Sequence, residues 1–547
     1  LSAGHIPLDG SRAATYRVLG PPGCGKTSYL VRQAERMAEQ YGTESVRVVS
    51  MTRTASREFA KRGSIVPTEN VSTLHALAYR AIGKPGVLGK DDIDRWNEEQ
   101  PGYALSGGAA DSEDGRRAAT FGDALLLDLE LCRARRVAPW YSDLAAFAEE
   151  YAAFKREVDK VDFTGMLEEA LAGAAHAPGR PDALLVDEAQ DFSRLELELV
   201  ERWAQACRVI VLVGDQDQSL YSWRGADERV LASEGRPPFA VLKRSFRVPR
   251  AVREVALDVI GRSSTWSRAE YGPKLDPESG EPVEGEVDRL PIDFASPSVV
   301  ADDVEEHLAV DPLSDHMLIA QCSYMLSPLV AELRARGIGY HNPYRAEWNP
   351  LARGGRDKVT GADKVLAFAR LRTPRDWRVA LSCLASEQAG GPLRRGAKNL
   401  VAGLKDDASP ADVVALLSSC LLPLGLDLFE HAGGERAATP GELVAYMAAC
   451  TKGERESMAF PALVYRRGGE RAVEEPQVVV GTIHSVKGGE ADHVYLSTAL
   501  SPSARRQMAE PGWEGEDSVW RTFYVGATRA RHRLVICGMN MTRGVSF

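Results

Sequence analysis

Three short runs of this sequence combine residue types that can do chemistry on a phosphate. Gly20-Pro-Pro-Gly-Cys-Gly-Lys-Thr27 spaces Gly20, Gly23 and Gly25 so that backbone N–H groups can converge on an anion with no Cβ in the way. Lys26 can reach β- and γ-phosphates, Thr27 offers a hydroxyl to Mg²⁺, Cys24 fills a variable position, and Ser28 opens a helical run to about Gln40. Leu184-Leu-Val-Asp-Glu-Ala-Gln-Asp191 carries an apolar strand into paired carboxylates. Asp187 suits Mg²⁺ held through its water shell, leaving Glu188 to act on an attacking water as general base. Gly214-Asp-Gln-Asp-Gln-Ser-Leu-Tyr-Ser-Trp-Arg-Gly-Ala-Asp227 follows the strand-like Val209–Val213. Its Asp215 and Gln218 can sense a nucleotide phosphate or its metal, while Tyr221, Trp223 and Arg224 can stack on or clamp a single strand. Taken singly, each run has a plainer reading: a Gly-rich turn, a solvated acidic turn, a loop with a buried Trp. Their coexistence in one chain favours the chemical one.

The elements that must position these residues are legible as well. Tyr16–Leu19, Val46–Val49, Ala183–Val186 and Val209–Val213 are apolar strands alternating with helical stretches, the pattern of a parallel sheet covered by helices. A second set, Met317–Ala320, Val478–Gly481, His493–Ser497 and Leu534–Cys537, predicts a second α/β unit. Between the motifs, Pro101–Gly115 reads as a mobile loop, and the Pro- and acid-rich Tyr271–Asp288 as irregular solvated surface. Thr373–Val473 is Ala- and Leu-rich, helical in pattern, with 12 Lys and Arg balanced by 12 Asp and Glu.

At 547 residues, 44% hydrophobic and 26% charged, the chain is long enough for three or four subdomains with cores. No run approaches about 18 uninterrupted apolar residues and the first residues lack a signal pattern, so a cytoplasmic protein with no membrane partner is expected. A net charge of −10 argues against broad polyanion binding and predicts a focused groove. The eight cysteines include no C-x-x-C pair and read as buried thiols.

Joined with Val480-Gly-Thr-Ile-His-Ser-Val-Lys-Gly-Gly-Glu490 and Tyr524-Val-Gly-Ala-Thr-Arg-Ala530, these runs resemble the ordered motifs of the UvrD/Rep/PcrA group of superfamily 1 DNA helicases. Ser50–Phe59, Ser72–Ala76, Asp162–Leu167 and Leu242–Pro249 fall in the same order, so the resemblance spans most of the chain. It implies an α/β fold of two RecA-like parallel-sheet motor domains in tandem, each with a mainly helical inserted subdomain. The implied boundaries are 1–90 with 161–245 for the first motor domain and 91–160 for its insertion. The second motor domain takes 246–372 with 474–547, and 373–473 forms a reduced accessory subdomain.

The resemblance also implies roles. Arg247 and Arg529 match the γ-phosphate arginines, Gln218 the residue coupling phosphate state to the strand, and Glu490 a ribose-hydroxyl acceptor. Phe246 stands where the family often has a Tyr stacked on adenine. Thr52, His75, Trp223, Arg224, Thr482 and His484 match strand-contacting positions, with Tyr221 beside them. Met51 and Arg53 replace the usual Phe and Asn, removing a stacking platform while Arg53 adds phosphate attraction. Residues 1–19 contain no Gln where the family reads adenine, which predicts a trimmed amino terminus or relaxed base selection. The implied activity is ATP- and Mg²⁺-dependent movement on single-stranded DNA, 3′ to 5′, with unwinding at single-strand/duplex junctions and an unidentified loading partner. A translocase that displaces proteins without unwinding, and a nucleotide-gated nucleic-acid-binding module, fit the same residues. A nuclease-helicase subunit is disfavoured by a chain that ends at Phe547, soon after the last motif.

Overall fold

Ala183–Val186 and Val209–Gly214 are buried at every residue, which only a strand covered on both faces can be. The computed structural model describes residues 6–8, 14–51, 59, 63–107, 118–231, 238–343, 349–354, 358–431, 436–509 and 514–538. In chain order its strands are β1 (Ala14–Leu19), β2 (Val46–Ser50), β3 (Val71–Thr73), β4 (Gly86–Val87), β5 (Lys160–Val161), β6 (Ala183–Val186) and β7 (Val209–Gly214). They continue with β8 (Ala240–Val241), β9 (Glu286–Leu290), β10 (His316–Ala320), β11 (Tyr340–His341), β12 (Val478–Thr482), β13 (Ala491–Ser497) and β14 (Ala530–Cys537).

The chain divides into two compact units. Unit 1 holds residues 1–291, 320–323 and 482–547; unit 2 holds 292–319 and 324–481. In unit 1 a sheet of order β3-β2-β6-β7-β1-β8 is parallel throughout. Alternate strand residues feed opposite cores: Leu185 and Val211 pack with Val18, Leu30 and Met37, whereas Leu184, Val186, Ile210 and Leu212 pack with Leu74, Leu199 and Trp203. The order brings the carboxyl ends of β6, β7 and β1 side by side, the position at which open α/β sheets bind ligands.

The stretch between β4 and β5 folds into helices Lys90–Glu99, Phe121–Arg135 and Ser142–Glu157 around Trp96, which meets Phe147, Tyr151 and Phe154 edge-on. Of the expected loop Pro101–Gly115, Pro101–Tyr103 is a single 3₁₀ turn and residues 108–115 lie outside the described residues. Unit 1 also carries a second parallel set, with β14 between β13 and β9. β9 corrects one expectation: Tyr271–Asp288 is not irregular to its end, because Glu286–Asp288 already pair with Arg533–Val535. Its charged, half-buried edge residues hid the strand from a hydrophobicity reading.

In unit 2, β11 and β12 pair in parallel with β10 on the other side of β12. Its helices announce their starts in the sequence. Thr360, Thr373, Ser409 and Thr439 each accept from the backbone N–H three residues on, and Asp363, Asp376, Asp412 and Glu442 return the bond, a capping box worth about 0.5–2 kcal/mol per cap. The helical core begins before Thr373, since Leu351 and the helix Gly361–Arg370 belong to it, with Phe368 stacked on Tyr446 at 4.0 Å. The chain is therefore α/β, with two RecA-like parallel-sheet arrangements and abundant helices.

Candidate nucleotide and nucleic-acid site

β1 ends at Leu19, Gly20 N–H donates to Gly214 O at 2.8 Å, and the loop enters the helix Lys26–Tyr41, two residues earlier than the sequence run suggests. At Gly23 φ is +70°, and a Cβ there would stand 2.6 Å from both Arg247 Cβ and Ser245 Oγ, so only glycine fits. Ser245 locks that approach, donating from Oγ to Pro22 O at 2.8 Å, while Phe246 N–H donates to Gly23 O at 2.8 Å. Phe246 itself is 47% exposed beside Gly25, under the Arg244 guanidinium. Cys24 is buried, and burial pushes its thiol up to about 12. All eight cysteines are free and buried.

At the end of β6, Asp187 is buried and its Oδ2 lies 3.4 Å from Thr27 Oγ1. Burial, reinforced by the Glu188 charge, pushes Asp187 above the usual carboxylate range. Glu188 sits at φ 52°, ψ 44°, a left-handed conformation costing a non-glycine residue about 1–3 kcal/mol, which the surrounding bonds must hold. Burial opposes its ionisation, yet the Lys26 and Lys487 ammoniums and a 2.6 Å bond from Gln190 Nε2 keep it ionised. Lys26 Nζ donates to Gly20 O at 3.0 Å and lies 3.9 Å from Glu188.

From Glu188 a continuous run of bonds crosses the sheet ends. Gln190, fully buried, accepts from Asp215 N–H at 2.9 Å; Asp215 accepts from Gln218 Nε2 at 2.6 Å; Gln218 Oε1 accepts from Arg529 Nη2 at 3.0 Å. Gly214 must lack a side chain, because a Cβ would stand 2.1 Å from Gln190 Oε1. Arg529 is 1% exposed and also donates to Val525 O and Gly489 O. Arg247 and Glu490 are hydrogen-bonded to each other, with Arg531 3.7 Å from the same carboxylate.

Sequence reasoning missed the residue that closes this run. Lys487 Nζ donates to the buried Asp191 carboxylate and, at 2.8 Å, to Gln218 O, while lying 5.2 Å from the Tyr221 ring centroid. Burial pushes Asp191 up to about 6 against the pull of Lys487. Both residues stand inside motifs already singled out, Asp191 as the last acid of its run and Lys487 as the only cation of Val480–Glu490, so the signal was present.

On the strand side, the Tyr221 ring neighbours both Trp223 and His484, each at 6.2 Å, and Arg224 lies over Tyr221. Thr482 is different: fully buried, its hydroxyl accepts from Ser485 N–H at 3.2 Å and so shapes the turn that presents His484. Thr52 and Arg53 lie outside the described residues. A cavity of about 830 Å³ is lined by Met51, Thr73, His75, Phe163, Glu196 and Arg224. His75 lies 3.8 Å from Glu196, and burial depresses its imidazole pKa. Phe163, which the sequence did not mark as a contact, is 66% exposed there, edge-on to His75 at 6.2 Å, and restores an aromatic beside Met51.

A glycine-bordered loop at a strand end, a cation, a hydroxyl facing a buried carboxylate and a second acid beside it define a phosphate-loop nucleoside-triphosphate site. An AAA domain model matches residues 9–224, and a UvrD-like helicase C-terminal domain model matches 458–540. The ATP-dependent DNA helicase UvrD2 of Mycobacterium tuberculosis (strain H37Rv) is 25% identical over 431 residues, 72% of this chain and 54% of that protein. The ATP-dependent DNA helicase PcrA of Bacillus subtilis is 33% identical over 111 residues, 18% of this chain and 15% of its own. The chain thus spans about half, or less, of the length of these curated relatives. Together these matches support a UvrD/PcrA-like superfamily 1 helicase.

Proposed function

We propose that the chain is an ATP-dependent DNA motor that moves 3′ to 5′ on single-stranded DNA and unwinds duplex at single-strand/duplex junctions, acting in the cytoplasm with a loading partner. The observation that carries this reading is the Gln218 node. One short turn bonds to Arg529 through its side chain and to Lys487 through its carbonyl, and three residues further on presents Tyr221 beside Trp223 and His484. ATP-side and strand-side residues therefore share a few rigid peptide units.

The donor set fits Mg²⁺: Thr27 Oγ1 and Asp187 Oδ2 are hard oxygens within 3.4 Å, and a buried carboxylate gains from a cation. When bound, Mg²⁺ neutralises charge on the β- and γ-phosphates of ATP. Lys26 clamps the same phosphates, and Glu188, held ionised, accepts the proton of the attacking water. Phe246 offers a face to the base. Arg529 and Arg247 stabilise charge on the transferring group, and Glu490 exchanges its Arg247 bond for the ribose hydroxyl. Gln218 reports that change to Tyr221, Trp223 and Arg224, while Phe163 and His75 hold the strand, to which the resemblance also assigns Thr52 and Arg53. The four-part domain division frames this cycle, with the helical accessory core extended back to take in Leu351 and the helix Gly361–Arg370.

Steady-state ATPase with and without single-stranded DNA, then unwinding of 3′-tailed against 5′-tailed duplexes, tests the reading. Stimulation with 3′-tailed unwinding is expected. Stimulation without unwinding leaves a translocase that only displaces proteins, and turnover indifferent to DNA rules the motor out.

A further inference from the structure

The residues that must meet, Gln218 and Arg529, sit on separate elements: Gln218 on the one-turn 3₁₀ helix Gln216–Gln218, Arg529 just past the helix Glu514–Ala527. The turn and the helix lie in direct contact. A third segment touches both. Ser263-Ser-Thr-Trp-Ser267, which follows the helix Arg250–Ile260, was absorbed by none of the motifs.

At one end of that segment, Ser267 donates to the carboxylate of Asp217, with N–H at 2.9 Å and with its hydroxyl, and Gln216 Nε2 donates to Thr265 O at 3.4 Å. Asp217 is 3% exposed and flanked by Gln218, so this bond pair holds the turn that carries the sensor. At the other end, Asp517 on the long helix accepts from Ser264 N–H and Ser264 Oγ, both at 2.7 Å, and from Thr265 Oγ1 at 3.0 Å. Arg521, one turn along the same helix, donates to Thr265 Oγ1. Thr265 thus touches both elements within one residue, with its carbonyl toward Gln216 and its hydroxyl toward Asp517 and Arg521.

This pattern is dense for a connection. Buried carboxylates on both elements are satisfied by hydroxyls and N–H groups of Ser264, Thr265 and Ser267 within one five-residue segment. Hydroxyl-to-carboxylate bonds are short and directional, so they set position, whereas an ion pair between flexible chains would tolerate drift. Burial and the neighbouring Asp215 charge push Asp217 up to about 7, and the hydrogen bonds from Ser267 oppose that rise.

We infer that Ser263–Ser267 is a positioning strap that sets the separation of the Gln218 turn and the Arg529 helix, making Thr265 and Ser267 positioning residues for nucleotide turnover. The inference rests on the proposed ATPase function. Neither residue belongs to the phosphate loop, the paired acids or the arginines assigned to the nucleotide, so their removal should leave ATP binding alone and slow the step that needs the Gln218–Arg529 contact.

The test uses the full chain carrying Ser267→Ala, Thr265→Val, or both, with thermal unfolding and single-strand affinity as folding controls. ATP turnover is measured over a range of ATP concentrations, with and without oligo-dT. Each single variant is expected to lower kcat about tenfold or more, since small misplacements of catalytic groups cost up to about 10²-fold, with KM for ATP within about twofold. Ser267→Thr, which keeps the hydroxyl, should restore kcat. In a Gln218→Ala background the same substitutions should change kcat less than about twofold, because the contact they orient is already gone. Unchanged kcat in both single variants, or equal losses in both backgrounds, overturns the strap. A wild type that turns over ATP without response to oligo-dT removes the DNA-motor reading but leaves the strap readable in its basal kcat. A wild type with no turnover at all overturns both.

Discussion

Arg529 Nη2 and Gln218 Oε1 stand 3.0 Å apart across 311 residues of sequence, and Gln218 hands the bond on to Asp215 at 2.6 Å. Arg529→Ala should therefore do two things at once. It should cut ATP turnover by about 10³–10⁵-fold, the range for a phosphate-stabilising arginine, and leave Gln218 without its partner. Gln218→Ala should cost less turnover and spare strand affinity. Single-turnover ATPase and fluorescence anisotropy on labelled oligo-dT separate the two; equal losses of strand affinity in both would contradict the assignment.

Glu188→Gln should retain nucleotide while abolishing turnover, because Lys26 and the phosphate loop still bind but no base accepts the water's proton. Lys26→Ala should weaken nucleotide binding as well. Titration with a fluorescent ATP analogue beside steady-state ATPase reads both, and ordinary hydrolysis by Glu188→Gln excludes it as the base.

Phe163→Ala and Trp223→Ala should each weaken single-strand binding by about 1–3 kcal/mol, the usual worth of one stacked base, with basal ATPase little changed. Loss of basal ATPase in Trp223→Ala would mean that this ring supports the site's packing instead.

Lys487→Met or Asp191→Asn alone leaves a buried charge or carbonyl without its partner and should destabilise by about 3–5 kcal/mol, whereas the double variant should recover part of that loss. The order of thermal transitions checks it: additive losses would show that the two residues are not coupled.

Asp162 is 14% exposed and bonded to Arg133 at 2.8 and 2.9 Å and to Lys155 at 2.9 Å. Burial opposes its ionisation, but those cations hold its carboxyl well below the ordinary range. A carboxyl depressed in the folded state adds stability above its ordinary pKa of about 3.9, and that stability is lost as pH falls through the folded value. Asp162→Asn should lower the melting temperature at pH 7, and its deficit against wild type should shrink steadily below about pH 4. A deficit that is constant across that range would refute the linkage.

The sequence by itself determined the chemistry and its frame. Gly20–Thr27 and Asp187-Glu188 are contiguous, so their spacing encodes a phosphate loop and a paired-acid strand end wherever the strands lie. Uninterrupted apolar runs such as Val209–Gly214 have no amphipathic alternative and had to be central strands, and Thr or Ser three residues before Asp or Glu marked helix starts in unit 2. What depends on meeting across the chain was not written locally. Lys487 looks like any cation until the fold sets it on Asp191, and Phe163 like any core aromatic until it is left 66% exposed beside His75. Thr482 was expected on the strand side from the resemblance alone, but it ends the buried stretch Val480–Thr482 of its strand and turns its hydroxyl to Ser485 N–H. Short edge strands such as Glu286–Leu290 were equally hidden, since their stability comes from the partner β14 and not from their own hydrophobicity. Only the tertiary structure could bring Ser263–Ser267 between Asp217 and Asp517, because hydroxyls and carboxylates carry no signal of their partners until both are removed from water.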